Sequence, residues 1–99
     1  MNNLQFIATY IHNNPDNATF TSIRTSLMLW KGFTVEECIE RRGQYTRYFS
    51  RGDYPLKYRY HGRLWKKADL KSERSSYVLT EIGKKYVVNT EEKGYNKNV

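Results

Sequence analysis

Apolar residues recur at two different spacings in this chain, and the change between them limits what it can fold into. Up to about residue 51 they return every three or four positions. Leu4, Ile7, Ala8 and Ile11 form one set, Ile23, Leu27 and Trp30 a second, and Val35, Cys38, Ile39, Tyr45 and Phe49 a third, with Arg42 in the same stripe. That spacing lays a stripe along one side of a helix. From Tyr54 the spacing is two: Tyr54, Leu56, Tyr58 and Tyr60 alternate with Lys57, Arg59, His61 and Arg63. Alternation puts an aromatic face and a basic face on opposite sides of a strand. Helices come first and strands after them, which predicts an α+β fold with segregated elements.

Local signals set the expected boundaries. Asn2 or Asn3 caps a helix over residues 3–13, and Asn13-Asn14-Pro15-Asp16-Asn17 ends it in a turn. Ala18 to Thr21 reads as a short strand or the approach to a cap. Thr21 or Ser22 then starts a helix from Ile23 to Trp30, stopped by Lys31-Gly32. Thr34-Val35-Glu36-Glu37 is a capping box, and it opens a third helix expected to reach Arg51. Gly43 inside it costs about 1 kcal/mol relative to alanine. Either the helix runs through Gly43, or it breaks there into 35–42 and 44–51.

Pro55 places the Tyr54 strand at an edge or in an extended lead-in. Residues 63–69 read as a further strand with Leu64 and Trp65, residues 70–76 as a polar loop, and Tyr77-Val78-Leu79 as the returning strand. Thr80 caps a last helix from Glu81 to about Val88, with Ile82, Tyr86 and Val87 inward and Lys84 and Lys85 outward. Trp30 and Trp65 are expected at the core or its edge. Residues 89–99 are polar and predicted to be a disordered tail. A single domain over 1–88 fits a chain of 99 residues.

The net charge of +7 is concentrated. Residues 1–40 carry net −2, residues 41–74 net +8, and residues 75–99 net +1. A field focused in the middle third steers polyanions. Cys38, the single cysteine, rules out an intrachain disulfide and sits on the apolar stripe, as a buried thiol would. His12 and His61 have no metal-ligand spacing, and His12 suits a helix C-terminus. Nucleophile elbow, phosphate loop and nuclease carboxylate cluster are all missing, so an enzyme is not expected, nor a cofactor or metal. Without a visible signal peptide or a spanning apolar run, the expected place is the cytoplasm, with no membrane partner.

The third helix carries the sharpest chemistry. Arg41, Gln44, Arg47, Tyr48 and Arg51 fall on a face other than the apolar stripe. Guanidiniums and amides at helical spacing reach base edges and phosphates in a DNA groove. A solvated basic face would look the same, so the context has to decide.

That context is Tyr77-Val78-Leu79-Thr80-Glu81-Ile82-Gly83. The sequence there resembles the winged helix-turn-helix family, in which an aromatic, an apolar residue, Leu-Thr, two residues and Gly join the return strand of the wing to a capped helix. The order of elements over residues 4–88 is similar to that family throughout. The resemblance implies a three-helix core with a β-hairpin wing and a short C-terminal helix. Residues 22–30 would be the supporting helix, the helix after Thr34 the recognition helix, and 63–79 the wing. It implies duplex DNA binding and transcriptional regulation by a small stand-alone regulator, of phage or plasmid type by its size. DNA contacts would come from Arg41, Gln44, Arg47, Tyr48 and Arg51 on the helix, and from Lys66, Lys67, Lys71 and Arg74 on the wing. The Tyr54–Arg63 stretch is longer than the usual link. A homodimer would suit a palindromic site.

Two other readings fit the same residues. A winged helix also docks proteins, and a basic one suits an acidic partner such as a host nucleic-acid-processing protein. The Tyr54–Tyr60 ladder would suit single-stranded DNA or RNA, whose bases stack on aromatic rings.

Overall fold

A computed structural model describes residues 1–49, 63–69, 71–72 and 75–88. The expected strand over Tyr54–Tyr60, the expected site residues Arg51 and Arg74, and the expected tail over 89–99 lie outside the described residues. The fold is α+β, and the described residues form four helices and one antiparallel hairpin. In chain order these are α1 (Asn3–Asn13), a 3-10 turn (Pro15–Asn17), α2 (Phe20–Trp30), α3 (Val35–Thr46), β1 (Trp65–Lys67), β2 (Tyr77–Leu79) and α4 (Glu81–Lys84).

Capping fixes the helix starts. Asn2 and Gln5 form a reciprocal box at α1, and Thr34 and Glu37 form the expected one at α3. The cap of α2 is Thr19, whose hydroxyl accepts from Ser22 N–H at 3.2 Å, not Thr21 or Ser22. Ala18-Thr19 is therefore an approach to a cap. Gly32 ends the α2 turn with φ +93, a left-handed conformation that glycine takes without a side-chain clash. The α3 helix runs unbroken through Gly43 and closes at Thr46, short of Arg51. Turns follow it, with Phe49 N–H donating to Thr46 O at 2.9 Å.

Phe49 joins the helices to the hairpin. Its ring meets Phe20 at 5.3 Å, Tyr77 at 5.3 Å and Trp65 at 5.9 Å between centroids. Trp65 is fully buried, and its indole N–H donates to Tyr48 O at 3.2 Å, which satisfies the polar atom such a burial strands. Ile7, Ile23, Leu27 and Met28 fill the core between α1 and α2. Cys38 is buried, as its stripe position implied.

Several inward expectations fail. Trp30 is 43% exposed and stacks on Phe6 at 4.8 Å, because it ends α2 where only the first turn of α1 can cover it. Val35 (67%) and Ile39 (57%) are exposed, and so is Arg42. The buried stripe of α3 is narrower than its apolar spacing implies. The helix meets its neighbours through Cys38 and Tyr45, while Val35, Ile39 and Arg42 lie on the flank beside them. Ile82 is exposed as well, because α4 has one turn and buries Gly83 instead.

The hairpin pairs Trp65 with Leu79, Lys66 with Val78 and Lys67 with Tyr77. Thr80 locks its base: the Thr80 N–H donates to Leu64 O at 3.1 Å and its hydroxyl to Arg63 O at 2.6 Å. The same hydroxyl accepts from Gly83 N–H at 3.0 Å and so caps α4. Val88 N–H donates to Thr9 Oγ1 at 2.9 Å, tying the end of the described chain to α1.

Candidate nucleic-acid interface

The exposed surface of α3 splits by charge. Glu36 and Glu37 occupy the first turn and Glu40 follows, where the helix dipole favours acids. Arg41, Arg42 and Gln44 occupy the second half and Arg47 follows as the C-cap, and all are exposed. Only this half can approach a polyanion without carboxylates in the way.

Aromatic rings hold two of its arginines. The Arg41 guanidinium lies 4.9 Å from the Phe33 ring centre, and that of Arg47 lies 5.5 Å from the Tyr48 ring centre. Cation–π contact of this kind restrains a long side chain without using its hydrogen-bond donors. Between them Gln44 lines a cleft of about 360 Å³ together with Asn3, Gly43, Tyr45 and Arg47. Asn3 closes the cleft from the first turn of α1. Its amide donates to the Tyr48 hydroxyl at 3.0 Å, and Lys31 Nζ reaches its carbonyl at 3.4 Å.

A further arginine sits behind the helix. Arg24 on α2 donates to Thr46 Oγ1 at 2.9 Å and stacks on Phe20 at 4.5 Å, and Thr46 Oγ1 donates in turn to Arg42 O at 3.0 Å. Partial burial, and then the like charge of Arg42, lower the Arg24 pKa below its ordinary value. Its Nε is buried with no hydrogen-bond partner among the described residues. Arg24 thus braces α2 against α3 at an electrostatic cost.

Of the expected site residues, Arg41, Gln44 and Arg47 share one exposed surface, and Lys66 and Lys71 are exposed on the hairpin and its loop. Arg51 and Arg74 lie outside the described residues. Two assignments change. Tyr48 is 7% exposed, because the helix ends before it and the following turn swings its ring against Tyr45. Lys67 is 9% exposed, because the register turns it inward beside Tyr77, and its amine donates to Ser72 O at 3.3 Å. Neither is placed to grip DNA. Asn3 and Lys31 join the surface unforeseen. Their spacing in sequence carries no signal, and they meet only because the start of α1 packs beside the end of α2.

Among the described residues no helix is long and apolar enough to cross a membrane, and no His, Cys, Asp and Glu group is arranged to hold a metal ion. Comparison with family models, with curated proteins and with solved structures found no match to this chain.

Proposed function

We propose that this chain binds duplex DNA as a winged helix-turn-helix and regulates transcription. The observation that carries the reading is the row Arg41, Gln44 and Arg47, exposed along the second half of α3 and its C-cap, a helix that follows α2 after a short turn. Supporting it, the hairpin follows α3 in the chain and presents Lys66 and Lys71 to solvent. The reading element is the C-terminal half of α3, since Glu36, Glu37 and Glu40 would repel phosphates at the other end. Gln44 is suited to an adenine edge and the arginines to guanine or phosphate.

Fluorescence anisotropy on a mixed-sequence duplex tests this. With Arg41, Arg47, Lys66 and Lys71 each neutralising a phosphate, log affinity falls against log salt with a slope of about −3 to −4. Arg47→Ala lowers that slope by about 0.9, or costs about 1–3 kcal/mol at one base position if it grips a guanine. Absence of duplex binding at low salt refutes the reading.

A further inference from the structure

The free edge of the hairpin has a different chemistry from α3. Thr80 N–H bonds Leu64 O at 3.1 Å, and Ala68 N–H bonds Ser76 O at 2.9 Å. Antiparallel ladders alternate, so Val78 faces Lys66 while Tyr77 and Leu79 turn their N–H and C=O groups away from β1. Tyr77 obeys this: its N–H donates to Ala18 O at 2.7 Å. That single bond lies where the first rung of a third strand would be. The chain before Ala18 curls into the Pro15–Asn17 turn, so it supplies no second rung, and Leu79 faces a groove instead.

That groove has a volume of about 570 Å³. Ile11, Pro15, Val78 and Val87 give it an apolar lining, and His12 and Lys84 give it a basic rim. Val78 is 39% exposed although it sits in the middle of a strand. Lys84 reaches Glu81 at 2.9 Å, but the two side chains are 58% and 88% exposed, so this is a weak surface pair that a second carboxylate can displace. None of the lining residues belongs to α3.

We propose that this groove binds an extended acidic segment of a partner protein, laid along β2 as its third strand. Main-chain bonds to Leu79 would supply register, alternate apolar side chains would fill the groove, and the acidic ones between them would meet His12 and Lys84. Bare edges of this kind recruit strands. The basic rim selects for acid, and its position away from α3 leaves the DNA-reading surface open at the same time.

The test uses the full chain, labelled with nitrogen-15, and two synthetic peptides, one alternating Val with Glu and one alternating Val with Lys. The Glu peptide should shift the Val78 and Leu79 amide signals and slow exchange of the Leu79 amide. His12→Glu together with Lys84→Glu should weaken it roughly tenfold, and both positions are exposed, so the fold should survive. Duplex DNA should not compete. Equal binding of the Lys peptide, shifts confined to α3, or a Leu79 amide already protected before peptide is added would each overturn the proposal. None of these outcomes depends on whether α3 reads DNA.

Discussion

Replacing Gly83 with alanine isolates the contact that joins the hairpin to α4. A Cβ at Gly83 would overlap the Leu64 carbonyl oxygen and lie 2.8 Å from Leu64 C and 3.2 Å from Leu64 Cα. All three atoms are backbone, so no rotamer change relieves the overlap. The start of α4 must move off β1, and the bonds from Thr80 to Leu64 and Arg63 go with it. Overpacking costs about 1–3 kcal/mol. Loss of one or two hydrogen bonds adds about 0.5–1.5 kcal/mol each. The better helix propensity of alanine returns about 1 kcal/mol. The balance is a loss of about 0.5–5 kcal/mol, which in a domain of this size lowers the melting temperature on the order of 10 °C. Urea and thermal unfolding followed by circular dichroism would measure it. A variant as stable as the parent would show that α4 does not sit on Leu64 as described. It would also remove the physical reason for glycine three residues after Thr80.

Further substitutions test the remaining structural assignments. Gly43→Ala should stabilise the protein by about 0.5–1 kcal/mol in the same unfolding assay, because α3 is continuous there and an added Cβ meets no atom within 4 Å. Tyr48→Phe should cost about 0.5–1.5 kcal/mol through the lost bond from Asn3 while duplex affinity holds; lost affinity with full stability would return Tyr48 to the DNA surface. Val35→Ser and Ile39→Ser should each change stability by no more than about 0.5 kcal/mol, as exposed positions do, whereas core positions would lose several times more. Lys66→Ala should reduce the salt slope of DNA binding by about 0.9, and Lys67→Ala should leave it unchanged.

The local chemistry of the chain determined much by itself. Apolar returns every three or four positions marked α1, α2 and α3 as helices. The Thr34–Glu37 box started α3, and Thr80 started α4, because a cap needs only a side chain and the amides next to it. The same short range made the pairing Arg41, Gln44 and Arg47 visible, since residues three apart on a helix are neighbours by construction.

Packing decided the rest. Spacing cannot say how wide the buried stripe of α3 is, because that depends on how its neighbours pack, and here they leave Val35 and Ile39 in solvent. It cannot say that α3 stops at Thr46, where the chain turns so that Tyr48 and Phe49 enter the core. Nor can it place Lys67, whose direction follows from a register set against Tyr77. The described part of the basic row is Arg41, Gln44 and Arg47, joined by Asn3 of α1 and by Lys31 at the end of α2, which meet it only in three dimensions.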